Sequence, residues 1–231
     1  MGVNERFSYY FRRLPRSCFI VQIGAMDGVA CDPLHPIIRR DATALLVEPV
    51  PDCYTRLQHT YAAYPRVRLA NVALNVFDGQ CIMYRVSSGE TQPEWAQGLA
   101  SLGRNWNGLR DRAVVETIQV ECVTWRTLIH RYGVPAVDVL VVDAEGFDDT
   151  VVLSFPFQRF HPLCVLYELQ NLPIARADIV SSKMRQIGYS VAACDYSDIL
   201  WIDSSYGWDR VNDRQPALGQ RIRGRLRHNR V

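Results

Sequence analysis

The stretch FIVQIGAMDG, residues Phe19 to Gly28, decides how this chain folds. Its first part, Phe19 to Ile23, is a short and mainly apolar run that suits a buried parallel strand. Gly24 and Gly28 follow directly and let the chain turn tightly beside a ligand. A buried strand that leads into a glycine turn predicts an α/β domain with a ligand at the carboxyl edge of its sheet.

A second apolar strand, ALLVEP at Ala44 to Pro49, ends in Glu48, which lies twenty residues past Gly28. At that spacing in a doubly wound fold, a carboxylate can accept hydrogen bonds from both hydroxyls of a cofactor's ribose. The two strands together therefore predict a site for a nucleoside cofactor.

The glycine turn itself indicates which nucleoside. A dinucleotide motif GxGxxG begun at Gly24 needs glycines where Met26 and Val29 stand. Without them the backbone cannot easily press against a pyrophosphate. The looser Gly24-x-x-x-Gly28 pattern favours a ligand without a phosphate, such as S-adenosylmethionine. A glycine turn that binds nothing stays the alternative.

With 231 residues and 48% hydrophobic content, the chain can bury the core of one enzyme-sized domain. We predict that domain over residues 1–205, with 1–17 as an N-terminal helical extension and 206–231 as a basic tail. The tail holds seven arginines against two aspartates, which is typical of a solvated or disordered end more than of a nucleic-acid-binding arm. No apolar run suits a bilayer or a signal peptide, which predicts a cytoplasmic protein without a membrane partner.

The seven cysteines are odd in number and widely spaced, without a CxxC pair. This pattern predicts reduced thiols, and neither zinc ligands nor disulfides.

Strand-like and helix-like patterns alternate as expected of a doubly wound sheet. Further predicted strands are Val67 to Leu74, Val137 to Val142, Leu163 to Leu169, Tyr189 to Ala193 and Ile199 to Ile202. Predicted helices are Pro51 to Tyr64, a helix capped by Thr124 that runs to Tyr132, and Ala175 to Ile187. Between them, Cys81 to Val86 and Val114 to Val123 alternate like an added antiparallel pair, joined by a long loop.

Two strong strands end in acidic residues. Val137 to Val142 leads into Asp143 and Glu145, and Leu163 to Leu169 contains Glu168. With Glu48, these carboxylates are predicted to converge on one rim of the sheet, where open parallel sheets bind ligands. Each alone can instead cap the next helix.

In these segments the chain resembles class I S-adenosylmethionine-dependent methyltransferases and, within them, the FkbM family. The segments that carry the resemblance are VQIGAMDG at Val21 to Gly28, DPLHPII at Asp32 to Ile38, LLVEPVPDCYTRL at Leu45 to Leu57, NVAL at Asn71 to Leu74 and VDVLVVDAEGFD at Val137 to Asp148. The resemblance implies a Rossmann-like, mostly parallel sheet of seven strands. It also implies methyl transfer, commonly to a hydroxyl of a sugar or a secondary metabolite, as in natural product biosynthesis.

The resemblance also implies which residues bind the cofactor. The set is Gln22, Gly24, Ala25, Asp27, Gly28, Glu48, Pro49, Asn71 and Val72. Gln22 departs from the wider class, where an acid two residues before the first glycine often helps hold the cofactor's ammonium. An amide oxygen accepts the same hydrogen bond without charge assistance.

An alcohol needs a base to take its proton during methyl transfer. Asp143 and Glu145 are the best-placed candidates, and the neutral imidazole of His35 is another. Local hydrogen bonding between two prolines is the alternative role of His35. Asp143, Glu145 and Glu168 can also supply oxygen ligands to magnesium, but no ligand spacing requires a metal, and we assign none.

The loop from Ser87 to Asp111 carries two tryptophans and is long for a mere connection. We interpret it as a lid or an acceptor-binding segment, with Trp95 and Trp106 stacking on a sugar or aglycone. Glu168, at its strand end, is predicted to contact the acceptor as well. Packing on the domain or on a second copy in a homodimer is the alternative. The sequence thus predicts an O-methyltransferase for a small hydroxylated acceptor. The alternatives are a noncatalytic scaffold, an NAD-dependent dehydrogenase and a nucleic-acid methyltransferase.

Overall fold

The computed structural model describes residues 1–86, 99–103 and 115–208. The helices are α1 (Val3–Phe11), α2 (Pro51–Thr60), α3 (Trp125–Arg131), α4 (Asp148–Ser154) and α5 (Ile174–Gln186). The strands are β1 (Phe19–Ile23), β2 (Thr43–Val47), β3 (Val67–Ala70), β4 (Ala73–Leu74), β5 (Gly79–Val86), β6 (Ala100–Ser101), β7 (Val115–Val123), β8 (Val139–Val142), β9 (Cys164–Glu168), β10 (Tyr189–Cys194) and β11 (Asp198–Asp203). None of the helices in these ranges has the length and apolar character needed to cross a membrane.

Seven strands form the main sheet in the order β10-β11-β9-β8-β1-β2-β3. Strands β3, β2, β1, β8 and β9 are parallel, and β11 is antiparallel to both β9 and β10. The chain builds outward from β1 to β3 and then returns to the other side of β1 with β8. The prediction of a doubly wound, mostly parallel sheet is confirmed. The order in which strands are added reverses between β1 and β8, and sheets of this kind bind ligands at that point.

The central strands are apolar along their whole length because both faces of the sheet are covered. Every residue of β1 and of β8 is buried. On one face Val21 packs in a core with Leu128 of α3 and Val180 of α5. On the other face Ile20 packs with Phe7 of α1. Burial on both faces explains why these strands lack the alternation of a half-exposed strand.

A smaller sheet has the order β4-β7-β5-β6. The predicted antiparallel pair is confirmed as β5 against β7. The prediction of a single strand over Val67 to Leu74 is wrong. Strand β3 ends at Ala70, and β4 belongs to the small sheet, where it pairs in parallel with β7. Asn71 is the one turn-forming residue in this mainly apolar run, and by itself it does not show that the chain changes sheets.

The prediction that all cysteines are reduced is wrong for one pair, because Cys81 of β5 and Cys122 of β7 form a disulfide. The register places Cys122 opposite Gly79 and Cys81 opposite Val120. The two cysteines are therefore diagonal neighbours, with their Cα atoms 6.0 Å apart, a separation that a disulfide spans. Forty-one residues separate them in sequence, so only the strand register reveals the pairing. The other five cysteines remain thiols.

The two ends of the described chain meet on one side of the main sheet. The ring of Trp208 packs edge-on against Tyr10 of α1, with ring centroids 4.8 Å apart. Its Nε1 donates to the carbonyl of Asp203 at 3.0 Å. Most of the predicted basic tail, residues 209–231, lies outside the described residues.

Candidate active site

A cavity of about 790 Å³ opens at the carboxyl ends of β1, β2, β8 and β9. Its volume falls within the roughly 300–1,000 Å³ of small-molecule sites. Six carboxyl groups line it, those of Asp32, Glu48, Asp143, Glu145, Glu168 and Asp198. Among the described lining residues there is no arginine, lysine or histidine. The lining is therefore acidic, and its ionised carboxyls attract cations and repel phosphates.

The first glycine of the turn is required by the close approach of two strand ends. Gly24 has φ +77°, and a Cβ there would lie 1.7 Å from the carbonyl oxygen of Asp143. The amides of Gly24 and Ala25 both donate to the carbonyl of Val47, at 2.9 and 3.1 Å. Gly24, Ala25 and Met26 line the cavity. The backbone of the turn therefore lies directly at the cavity, as the glycine pattern predicted.

The second half of the turn faces away from the cavity. A Cβ on Gly28 would lie 2.5 Å from the ring of Tyr61 and 2.8 Å from Leu57, both on or beside α2. The Asp27 carboxylate accepts from the amides of Val29 and Ala30, both at 2.9 Å. Neither Asp27 nor Gly28 lines the cavity. The geometry therefore gives them a role in building the turn and does not support cofactor contact.

Glu48 lies directly after β2 and joins the glycine turn to α2. It is buried, and its Oε2 accepts from the amide of Met26 while Oε1 accepts from the amide of Val50, each at 2.8 Å. Burial raises the pKa of Glu48 to about 7, although these two hydrogen bonds act in the opposite direction. Each oxygen keeps a second lone pair, so Glu48 can accept two further hydrogen bonds from a ligand.

The other predicted residues near Glu48 divide into two groups. Pro49 and Val72 line the cavity. Asn71 is exposed and does not line it. Its Nδ2 instead donates to the carbonyls of Glu48 and Pro49, at 2.8 and 3.1 Å. Asn71 thus holds the loop after β2 in place and is not itself positioned to contact a ligand.

Three acidic side chains converge at the other rim of the cavity. Asp143, Glu145 and Glu168 each offer a carboxylate oxygen, and these oxygens lie within 4.8 Å of one another. The Nδ2 of Asn171 donates to Glu168 at 2.8 Å and to Glu145 at 3.4 Å. Of the four carboxylates predicted to converge, these three form the cluster, and Glu48 lines the same cavity without belonging to it. Such a set can hold a cation, but acidic groups also cluster without one, and the prediction that assigns no metal stays untested.

The backbone around this cluster is held in an uncommon conformation. Glu145 has φ +49°, in the left-handed region that non-glycine residues seldom adopt. The buried carboxylate of Asp148 accepts from the amides of Ala144 and Gly146, at 3.0 and 3.1 Å. Ser101 of β6 donates to the carbonyl of Glu145 at 2.8 Å. These contacts hold the backbone from Ala144 to Gly146 in place, and Glu145 lines the cavity.

Crowding raises the pKa of these carboxyls. Desolvation, with Asp32 as the next cause, raises the pKa of Asp143 to about 6. Desolvation raises the pKa of Glu145 well above its usual value, and the neighbouring Asp143 and Glu168 add to the shift. Both carboxyls are therefore harder to ionise than free ones, and Glu145 is the more strongly affected of the two. Neighbouring carboxyls whose surroundings raise their pKa values to different extents are an arrangement suited to acid–base chemistry.

The remaining predicted residues do not reach the cavity or fall outside the described part. His35 is exposed and is not a lining residue, so the geometry gives no support to its role as the base. It follows the buried Leu34, and its side chain points to solvent. Trp95 and Trp106 belong to ranges 87–98 and 104–114, which lie outside the described residues.

Sequence reasoning missed several lining residues. Asp32 follows the glycine turn within a quoted family-like segment, but no spacing rule marks it. Asp198 begins β11 directly opposite Glu168 of β9, so only the antiparallel register brings it to the rim. Asn4 enters from α1, far away in sequence.

The strand order, the antiparallel β11 and a cavity at the carboxyl edge define a class I methyltransferase fold. The chain belongs to the methyltransferase FkbM domain family, whose model matches residues 22–196. This confirms the resemblance read from the sequence.

Several solved structures are similar to this chain. A methyltransferase FkbM from Methylobacillus flagellatus KT superposes with a TM-score of 0.52 at 12% identity, covering 82% of this chain and 44% of that chain. A methyltransferase from Geobacter sulfurreducens has a TM-score of 0.47 at 12% identity, covering 87% and 77%. Aeropyrum pernix fibrillarin, in complex with S-adenosyl-L-methionine, has a TM-score of 0.45 at 12% identity, covering 82% and 69%.

These likenesses concern the fold alone. The chain spans less than half the length of the M. flagellatus protein. A search among proteins of curated function finds no match to the chain.

Proposed function

We propose that this protein is an S-adenosylmethionine-dependent O-methyltransferase that acts on a neutral hydroxylated small molecule, such as a sugar or a secondary metabolite. The observation that carries the proposal is the charge of the cavity. Six carboxyls and no cationic side chain line it among the described residues. S-adenosylmethionine bears a sulfonium and an ammonium against one carboxylate, so its net charge is positive and suits this lining.

The same charge argues against a dinucleotide. The pyrophosphate of NAD carries two negative charges and needs a glycine-rich helix start to receive it. Met26 and Val29 stand at the glycine positions of that motif, and Met26 has φ +48° within the turn that lines the cavity. The six surrounding carboxyls would repel a pyrophosphate. These two features support the methyltransferase reading over the dehydrogenase.

The residues present divide the work as follows. Glu48 has two lone pairs left for the ribose hydroxyls, and Val72 and Pro49 form the wall beside it. The cofactor supplies an electrophilic methyl group. Across the cavity, Asp143 is placed to accept the acceptor's hydroxyl proton, and the apolar Leu99 and Phe147 help exclude water. Alignment of the acceptor hydroxyl with the methyl group then provides most of the rate enhancement.

Calorimetric titration of the purified chain with S-adenosylmethionine, S-adenosylhomocysteine and NAD tests the proposal. We expect the first two to bind in the micromolar range and NAD not to bind. A panel of sugars and polyols, scored by release of S-adenosylhomocysteine, then identifies the acceptor. Binding of NAD alone would favour the dehydrogenase, and cofactor binding without turnover on any acceptor would favour the scaffold.

Replacing Glu48 with glutamine is expected to weaken S-adenosylhomocysteine binding by about 1–3 kcal/mol, because charge-assisted hydrogen bonds to the ribose are lost. The glutamine keeps the size of the side chain and limits the disturbance of the turn. Glu121→Gln is the matched control, since this side chain pairs with Arg131 away from the cavity. Isothermal titration measures both variants. Unchanged affinity in Glu48→Gln would remove Glu48 from the cofactor site.

Binding of S-adenosylmethionine is expected to tighten by roughly tenfold between pH 6 and pH 8 and to release protons. Burial raises the pKa of Glu48 and of Asp198 to about 7, so both are partly protonated near neutral pH. A cationic ligand favours the ionised carboxyls, which lowers their pKa and expels the protons. Titration in buffers of different ionisation enthalpy measures the release. Affinity that falls as the pH rises would contradict the assigned charge of the ligand.

A further inference from the structure

A short described segment of the long connection between β5 and β7 forms part of the cavity wall. We call this segment, residues 99–103, the insert. Its apolar residues Leu99, Ala100 and Leu102 line the cavity. Along one side the insert is held by the small sheet, where β6 pairs with β5 over two residues and the amide of Val86 donates to the carbonyl of Leu99 at 3.1 Å. A strand this short needs further contacts to keep its place.

Ser101 joins the insert to the main sheet. Its side chain is 2% exposed, and it does not line the cavity with its neighbours Ala100 and Leu102. Its hydroxyl accepts from the amide of Gly103 at 3.1 Å and donates to the carbonyl of Glu145 at 2.8 Å. A hydroxyl has one hydrogen to donate, and Ser101 uses it here. In the part of the chain that the structure describes, Ser101 is the only hydrogen-bond donor to this carbonyl.

Glu145 needs such a contact because its backbone is strained. Its φ of +49° lies in the left-handed region, which a non-glycine residue keeps only where its surroundings impose it. The Asp148 carboxylate holds the turn from α4 by accepting from the amides of Ala144 and Gly146. Ser101 holds it from the opposite partner, the insert. The conformation of Glu145 therefore depends on two elements, and one of them is the insert.

The backbone of Glu145 connects Ser101 to the proposed base. The amide of Glu145 donates to the Asp143 carboxyl, and this hydrogen bond acts to lower the pKa of Asp143 against the larger effect of desolvation. The amide and the carbonyl belong to one residue, and its two backbone dihedrals set their relative direction. Loss of the Ser101 contact would therefore let the Glu145 amide move relative to Asp143.

We propose that Ser101 is a positioning residue for methyl transfer, which holds the Glu145 turn, and through it the Asp143 carboxyl, in the working geometry while the insert lies against the main sheet. This inference rests on the proposed function, in which Asp143 accepts the hydroxyl proton. Ser101 acts through Glu145 and not by contact with a ligand. The base thus depends on the same segment that forms part of the cavity wall.

Ser101→Ala tests the proposal by separating rate from binding. The acceptor is the member of the sugar and polyol panel that the wild type methylates fastest. We expect kcat to fall about 10-fold, while the acceptor KM and the S-adenosylhomocysteine affinity change by less than about twofold. Ser101→Thr keeps a donor hydroxyl and should retain most of the wild-type kcat. Ser181→Ala on α5 is the matched control, because that side chain is also 2% exposed and does not line the cavity.

Three results would overturn the inference. The first is a wild-type kcat in Ser101→Ala. The second is a loss of S-adenosylhomocysteine affinity as large as the loss of kcat, because Ser101 would then only support the cavity. The third is a kcat in Ser101→Thr as low as in Ser101→Ala, because the loss would then come from the packing of the insert and not from the hydroxyl.

Amide hydrogen exchange measures the coupling without turnover. In Ser101→Ala we expect the amides of Glu145 and Gly146 to exchange about 10-fold faster than in the wild type, while those of β8 are unchanged. Unchanged exchange at the turn would overturn the inference and leave the proposed function intact. If Ser101→Ala fails to fold, Ser101→Cys, which has a weaker donor of similar shape, is measured in the same way. A wild-type chain that methylates no member of the panel overturns the proposed function, and this inference with it.

Discussion

Gly24→Ala is expected to destabilise the domain by about 3–5 kcal/mol and to abolish cofactor binding. The new Cβ would lie 1.7 Å from the carbonyl oxygen of Asp143, and a backbone atom of a central strand end cannot move aside as a flexible side chain can. Relief would require β1 and β8 to separate at the point where they form the cavity. Urea denaturation measures the free energy of unfolding, and titration with S-adenosylhomocysteine measures the binding.

Gly188→Ala separates this clash from the cost of the backbone conformation. Gly188 has φ +95°, and a Cβ there would meet nothing within 4 Å. The alanine should therefore cost only about 1–2 kcal/mol, the penalty of a left-handed residue, and should leave binding unchanged. Similar losses of stability in both variants would show that the approach of Gly24 to Asp143 is not as tight as the structure places it.

The sequence predicted the main sheet well because its signals are local. The unbroken apolar runs of β1 and β8 reflect burial on both faces, and Thr124 caps α3 by accepting from the amide of Thr127 at 3.3 Å. The small sheet was predicted only in part. Strand β4 is two residues long and follows β3 after a gap of two residues, so nothing in its composition shows that it pairs with β7. The disulfide was missed for the same reason, since it depends on register.

In the candidate site, too, residues with a local sequence signal were predicted, and residues placed by register or by a loop were missed. Glu48, Asp143 and Glu168 were predicted because each directly follows or ends a parallel strand, and such positions share one edge. Asp198 was missed because β11 runs antiparallel, so its first residue, and not its last, reaches that edge. Asp32 was missed because its place depends on the path of a loop. His35 lies three residues further along the same loop and was chosen for its chemistry, yet it points to solvent.

The two carboxyls of the DAEG segment differ in surroundings, and this difference assigns their roles. Asp143 opens to the cavity, whereas Glu145 is surrounded by Asp143, Glu168 and Asp148. Desolvation, and then the like charges around it, raise the pKa of Glu145 well above its usual value, so Asp143 is the better candidate for the carboxyl that ionises. A base works best when its pKa lies near the working pH, because it is then ionised and still holds a proton well. The raised pKa of Asp143, about 6, meets both conditions.

Asp143→Asn is therefore expected to lower kcat by about 10²- to 10⁴-fold on the acceptor that the screen identifies, while S-adenosylhomocysteine affinity changes by less than about tenfold. In the wild type, the rate should rise with pH through about 6, because protonated Asp143 cannot accept the hydroxyl proton, and the variant should lose this dependence. Asp178→Asn, on the exposed face of α5, is the control. Methyl transfer at several pH values measures each. Retention of both the wild-type rate and its pH profile in Asp143→Asn would mean that Asp143 is not the base, and Glu145→Gln would be the variant to measure next.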